Sequence, residues 1–221
     1  MKPLLMIWTA RRIPVAHYHL QNLVGIDKLW IYGHTERELA ERVHSFLSEH
    51  DEYTHATLMP DDGVVSQQAL DRVLDTARSL PNAAVGGWSN CDFAHPYSNI
   101  GVTPLTAPEP KSMNDYGHLL SVDEIGEREH PFRVSFCGHT LFTMPRVLWL
   151  HDNTRLQPLG VEPGWGSDYA QCKRLQDTGI DLYADPLAFV GHLKLDHLVS
   201  DTAGWKRLNL SDKRIELEVA A

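Results

Sequence analysis

A chain of 221 residues with 43% hydrophobic residues is long enough to bury one substantial core, so one α/β domain or a compact two-part body is expected. A formal net charge of −9, with no basic run longer than Arg11-Arg12, argues against a protein whose main task is coating nucleic acid, while leaving room for a small phosphate ligand. Cys91, Cys137 and Cys172 are odd in number and far apart, which fits neither a disulfide framework nor a zinc cluster; reduced thiols in a cytoplasmic protein are the expectation.

The first apolar run, Leu4 to Trp8, is too short to span a membrane and is followed by Arg11-Arg12 rather than by a small-residue cleavage site, so it reads as a strand. Apolar residues near helical spacing from Ile13 to Val24 lead to a second strand, Leu29 to Tyr32, making a β-α-β unit. Thr35 with Glu38 three residues on predicts a capped helix over Arg37 to Ser48, ending before a strand at Ala56 to Met59. Ser66 opens the next helix, whose buried face is Ala69, Leu70, Val73, Leu74 and Ala77, and Ala83 to Trp88 is the following buried strand. Such alternation implies a doubly wound, mostly parallel sheet flanked by helices.

From about Asn90 to Pro131 the periodicity fails and five prolines interrupt the segment, which predicts a long functional loop or lid with short strands of its own. Alternation resumes over Arg133 to Phe142, and Pro145 to Leu150 is a short helix. Ser167 is expected to cap a helix over Asp168 to Asp177, and a last strand, Leu187 to Val190, ends at Gly191-His192. Residues 1–192 thus read as the functional domain. Residues 193–221 read as a tail that packs on the body or mediates association, in a monomer or homodimer.

The chemistry centres on Asp61-Asp62, two adjacent carboxylates at the end of a buried strand, which is where open α/β sheets bind ligands. Side by side, such charges need a cation or a basic group, and oxygen ligands with open positions suit Mg²⁺ or Mn²⁺ carrying a diphosphate. The alternative is an Asp-Asp-Gly turn leading into the next helix. His17-x-His19 falls on the first helix and reads as two surface histidines.

Four segments resemble nucleotide-sugar glycosyltransferases of the GT-A fold, most nearly the family 2 type. Leu58 to Val64 resembles a strand ending in a D-x-D-type acidic motif, with Ala84-Val85-Gly86-Gly87 as its sequel. Phe136 to Arg146 is similar to the Gly-containing strand that enters the acceptor side and ends in Arg or Lys. Trp165 to Gly179 resembles the helix that opens with Glu-Asp and carries a later Arg and Gly. Ala184 to His192 resembles the strand that delivers a terminal histidine. Together they span most of residues 4 to 192.

The resemblance implies a nucleoside-diphosphate sugar as donor, a divalent cation (Mn²⁺ or Mg²⁺), a hydroxyl acceptor and an inverting transfer. It makes Asp62 the direct metal ligand and Asp61 its auxiliary, through water or on the ribose. His192 would complete the metal site or touch the diphosphate, or else be a plain loop histidine. Thr9 and Arg11, after the first strand, fall where family members contact the nucleotide, and Tyr32 could stack on the base. Asp168 is implied as the base that takes the acceptor's proton, although helix-end electrostatics would equally explain an acid there, held ionised by nearby backbone N–H groups. Two departures matter: Ser167 stands where the family has the first acid of Glu-Asp, and Gly33-His34-Thr35 lacks the usual acid after the second strand. Trp88, Asp92, His95, Trp149 and Trp165 lie near the implied donor or acceptor sides.

A nucleotidyltransferase of the same fold is a second reading, but Thr9-Ala10-Arg11-Arg12-Ile13-Pro14 contains no glycine for a phosphate loop. A non-catalytic binding protein of GT-A type is a third, since fold does not fix function. A nucleic-acid acceptor is disfavoured by the acidic balance, and no membrane span is expected.

Overall fold

The computed structural model of the protein describes residues 1–9, 14–33, 35–91, 97–108, 110, 112–157, 166–195, 198–201, 204–209 and 216–219. The chain runs β1 (Pro3–Trp8), α1 (Pro14–Gln21), β2 (Asp27–Ile31), α2 (Glu36–Glu49), β3 (His55–Pro60), β4 (Gly63–Val65), α3 (Gln67–Ser79) and β5 (Ala84–Trp88). It continues through β6 (Tyr97–Gly101), a single 3-10 turn (Met113–Tyr116), β7 (Leu119–Ser121) and α4 (Val122–Gly126). Next come β8 (Phe132–Val134), β9 (Phe136–Cys137), β10 (Phe142–Pro145), α5 (Arg146–Leu150) and α6 (Ser167–Asp177). The chain closes with β11 (Leu182–Leu195), β12 (Leu198–Asp201), β13 (Gly204–Asn209) and β14 (Glu216–Val219).

The local signals behave as their chemistry demands. Thr35 and Glu38 close a full capping box on α2, and Ser66 accepts the Ala69 amide at the start of α3. The α3 face expected from periodicity is the buried one. At α6 the cap differs from the expectation. Gly166 holds the N-cap position at φ +96°, a left-handed conformation open to glycine, and Ser167 lies inside the first turn, buried.

The main sheet follows the order β14-β13-β12-β11-β5-β10-β3-β1-β2. Strands β2, β1, β3, β5 and the first part of β11 run parallel, and β10 alone among these runs against them, between β3 and β5. This is a mixed α/β protein with a large, mostly parallel central sheet. Alternate residues of β1 feed two cores: Leu4 and Met6 pack with α2, α5 and α6, while Leu5 and Ile7 pack with α1 and α3. Helices therefore cover both faces.

Two sequence expectations change, and the short strands expected after Asn90 are present. The strand read over Arg133 to Phe142 is three short strands, with Leu141 at φ +62° in the turn between β9 and β10. The strand read at Leu187 to Val190 is the middle of the long β11, so the division expected at residue 192 falls inside a strand that continues into β12. The segment from Asn90 to Pro131 carries β6 and β7, which join β9 in a second sheet of order β7-β6-β9. Its apolar residues Ile100, Leu105, Tyr116 and Leu119 join the main core on the α6 side.

Candidate functional site

Because β1, β2, β3 and β5 are parallel, the residues that follow them gather along one edge of the sheet. Thr9, Tyr32, Asp61-Asp62 and Ser89-Asn90-Cys91 all stand there, where open α/β sheets take ligands. Asp61 and Asp62 are 1% and 5% exposed, so their burial asks for compensating partners. The Asp61 amide donates to the Trp8 carbonyl at 2.9 Å, which ties the acidic turn to the end of β1.

Strand β4, which periodicity did not reveal, completes this corner. It pairs antiparallel with β11 and sets His192 opposite Gly63. His192 Nε2 then lies 3.1 Å from Asp62 Oδ2, Nδ1 lies 3.1 Å from the Asn90 carbonyl, and the Leu193 amide donates to the Asp62 carbonyl. A carbonyl can only accept, so Nδ1 carries the proton. Nε2 then meets the carboxylate oxygen either as a second N–H donor or as a lone pair with a cation between the two. The 3.1 Å separation matches the edge between two donors at right angles around a cation, roughly 3 Å for ~2.1 Å bonds.

A second pair lies beside the first. His17 Nε2 is buried without a hydrogen bond, 3.7 Å from Asp61 Oδ2, and its ring packs on Trp30 at 4.8 Å. His19 reaches the Val65 carbonyl of β4. Both histidines face inward rather than standing on the surface, because α1 lies across β4. Among the described residues no three His, Cys, Asp or Glu side chains already converge on one point. The donors stand as two pairs, Asp62 with His192 and Asp61 with His17.

On the nucleotide side, the Thr9 amide and hydroxyl both donate to the Ile31 carbonyl, and the Trp8 indole donates to the Gly33 carbonyl. Thr9 thus staples the ends of β1 and β2 and keeps only acceptor capacity for a ligand. Tyr32 is 47% exposed. Arg11 lies outside the described residues, as do Asp92, His95 and Trp165.

Asp168 sits in the first turn of α6 and accepts the Tyr169 amide at 2.7 Å. The backbone bonds pull its pKa down, yet burial outweighs them and pushes it up to about 6. The expectation that local N–H groups dominate is therefore corrected. Tyr116 packs edge-on against Phe136 and against Tyr169, the residue that follows Asp168. The segment expected to be a lid is bolted to α6. Gln176 exchanges two hydrogen bonds with the Leu105 backbone, and the Tyr169 hydroxyl donates to the Ala107 carbonyl.

Two tryptophans weighed for ligand contact are structural. The indoles of Trp88 and Trp149 donate to the Pro186 and Ala56 carbonyls deep in the core. Arg146 donates to the Leu47 carbonyl near the end of α2, and Arg174 holds the carbonyls of Arg155 and Gln157. Two functional candidates escaped the sequence: His17, whose role depends on α1 crossing β4, and the Asn90 carbonyl, which no side-chain pattern announces.

No family model matches the sequence, and no curated protein does. Among solved structures, the crystal structure of A197 from STIV aligns with 100% of this chain and 96% of that one, at a TM-score of 0.62 and 14% identity. At that identity the likeness is one of fold. Among the described residues no helix is long and apolar enough to cross a membrane.

Proposed function

We propose that the protein is a metal-dependent glycosyltransferase of GT-A type that moves a sugar from a nucleoside-diphosphate donor to a hydroxyl acceptor with inversion. The observation that carries this reading is the Asp62 and His192 pair. Its Nδ1 proton is fixed on the Asn90 carbonyl, so Nε2 and a carboxylate oxygen face each other at a cation's donor spacing.

The residues present fit a divalent cation: Asp62 and His192 would hold it, with Asp61 and His17 beside them for a water or a diphosphate oxygen. A bound Mn²⁺ or Mg²⁺ supplies Lewis-acid relief of the charge that gathers on the leaving diphosphate. Tyr32 offers the nucleobase an aromatic face, and Thr9 offers the nucleotide an acceptor oxygen. At the other end Asp168, ionised above pH 6, takes the acceptor hydroxyl's proton as that oxygen attacks the anomeric carbon. The bond from that carbon to the diphosphate oxygen breaks on the opposite face, releasing the nucleoside diphosphate.

Calorimetric titration with Mn²⁺ and each nucleoside diphosphate, followed by donor hydrolysis across a panel of nucleotide sugars, tests the proposal. One diphosphate binding only with metal, and hydrolysis of its sugar conjugate, is the expected result. No metal-dependent nucleotide binding would remove the proposal.

A further inference from the structure

A groove of about 640 Å³ runs along α2, walled by that helix and by residues 155–157. On the helix, Arg37, Glu41, His44 and Ser48 recur at the three- and four-residue spacing that sets side chains in one row. The other wall is held by α6: Gln171 donates to the Thr154 carbonyl, and Arg174 to the carbonyls of Arg155 and Gln157. Helix α2 covers the sheet face that carries α5 and α6, whereas α1 and β4 lie on the opposite face. No residue of the acidic corner lines this groove.

Six side chains around the groove can donate hydrogen bonds, and three of them are engaged within the protein. Ser45 donates to Glu49 at 3.3 Å, Ser48 to the His44 carbonyl at 2.7 Å, and Gln157 to the Asp152 carbonyl at 3.3 Å. The three left are Arg37, His44 and Arg155. Among the described residues Arg37 forms no ion pair, although Glu41 lies four positions on. His44 Nδ1 and Arg155 Nε are both buried with no hydrogen-bond partner, a state that folded proteins avoid. Arg155 is also poorly balanced in charge. Its ion pair, 3.4 Å to Asp152, reaches a carboxylate that is 85% exposed. Burial, and after it the Arg155 charge, hold the pKa of Arg174 below the usual guanidinium range, so two cations crowd this wall. The groove's own carboxylates, Glu41 and Glu49, are exposed, and Glu49 already receives Ser45.

An Nε–H can only donate, so an arginine orphaned there requires an acceptor oxygen, and a guanidinium meets phosphate or carboxylate with two parallel bonds. Donors from three side chains on two walls outnumber the two oxygens of a carboxylate and match the three terminal oxygens of a phosphate monoester. The volume exceeds that of an inorganic ion, and Ala40 and Leu156 add apolar wall for a carbon skeleton. We propose that the groove is a second ligand site, taking a small organic phosphate on Arg37 and Arg155 with His44 as the third donor. Binding turns the Arg155 side chain, 35% exposed and otherwise paired only with Asp152, so that its Nε edge meets the ligand. The site does not depend on the glycosyltransferase reading.

The test follows the backbone amides of α2 in ¹⁵N-labelled full-length protein, with ribose 5-phosphate, inorganic phosphate, succinate and ribose as probes. Ribose 5-phosphate should move the amides of residues 41–48 in a saturable way, inorganic phosphate and succinate should bind more weakly, and ribose should move nothing. Arg155→Gln should weaken ribose 5-phosphate binding about tenfold or more, and His44→Gln by less, with the amides of β1 and β3 in place as the sign of an intact fold. In Asp62→Asn the shifts should persist, which separates this site from the acidic corner. Amides of α2 that stay still, equal affinity in Arg155→Gln, loss of binding in Asp62→Asn, or an equal response to ribose would each overturn the proposal. Succinate or inorganic phosphate binding as tightly as the ester would overturn the ligand class.

Discussion

Asp62 and His192 stand 130 positions apart in the chain and 3.1 Å apart in the fold, brought together by the short antiparallel pairing of β4 with β11. Neither residue is placed by its own neighbours. A metal that uses both should therefore lose affinity when either is changed. His192→Ala is expected to weaken Mn²⁺ binding in the presence of nucleoside diphosphate by at least ~10-fold, and Asp62→Asn by more, since the anionic ligand is lost. Titration followed by the Mn²⁺ electron-spin signal measures both. Equal Mn²⁺ affinity in wild type and His192→Ala would leave this histidine a purely structural link between Asp62 and Asn90.

Asp168 should report its burial in two opposite ways. Its pKa rises from 3.8 to about 6 on folding, so between these values the folded protein holds a proton that the unfolded chain has released. Stability then falls as pH rises through that window, and above pH 6 the fold carries the whole cost of a buried charge. Asp168→Asn is expected to raise stability at pH 7.5 by about 1–2 kcal/mol, after allowance for partial exposure, with the gain shrinking toward pH 4. The same change should lower transfer by about 10²–10⁴ and erase the rise of kcat through pH 6. Thermal melts at both pH values and a pH–rate profile decide it. A less stable Asn variant at pH 7.5 would show that the carboxylate is paid for locally.

Asp185 is a buried acid with a structural role. Its fully buried carboxylate receives Thr76 Oγ1 at 2.7 Å, Arg72 at 3.2 Å and the Leu187 amide at 3.0 Å, fastening α3 to β11. Removing one side of such a pair strands the other. Asp185→Ala should lower unfolding stability by about 3 kcal/mol or more, and Thr76→Val by about 1 kcal/mol. Urea unfolding midpoints of the two single variants and the double variant give the coupling directly; additive losses would mean that the two groups act independently.

The layered sheet was legible because helix caps and buried runs are local signals: Thr35 with Glu38, Ser66, and the α3 face all lie within a few residues of what they specify. What stayed hidden depends on partners far along the chain. Strand β4 is three residues long and shows no period; it exists because β11 returns beside it. Asp185 has no local signal of burial, and only the approach of α3 makes it a buried anchor. His17 and His19 looked solvated because their helix is short and weakly amphipathic, and the strand it covers was not foreseen. On the acidic corner, Asp61, Asp62 and His192 were visible as residues, whereas the carbonyl of Asn90 that orients the histidine carries no side-chain signature.

Gln176 decides whether the segment between β5 and β8 is a lid or a wall. Its amide makes both a donor and an acceptor bond to the Leu105 backbone, at 3.0 and 2.9 Å, the pattern of a strand neighbour supplied by a side chain. About two turns earlier on the same helix, the Tyr169 hydroxyl holds Ala107. With three bonds to α6 and with Leu105 and Tyr116 packed in the core, the segment should not open when substrate enters. Gln176→Ala leaves the Leu105 amide and carbonyl unpaired and is expected to cost about 1–3 kcal/mol. The loss should be local. Hydrogen exchange should quicken at Leu105 and its neighbours by about 10-fold or more while the amides of β1 and β3 keep their protection. Fast exchange around Leu105 already in the wild type would return the segment to the role of a lid, and uniform acceleration across the sheet would make Gln176 a determinant of global stability.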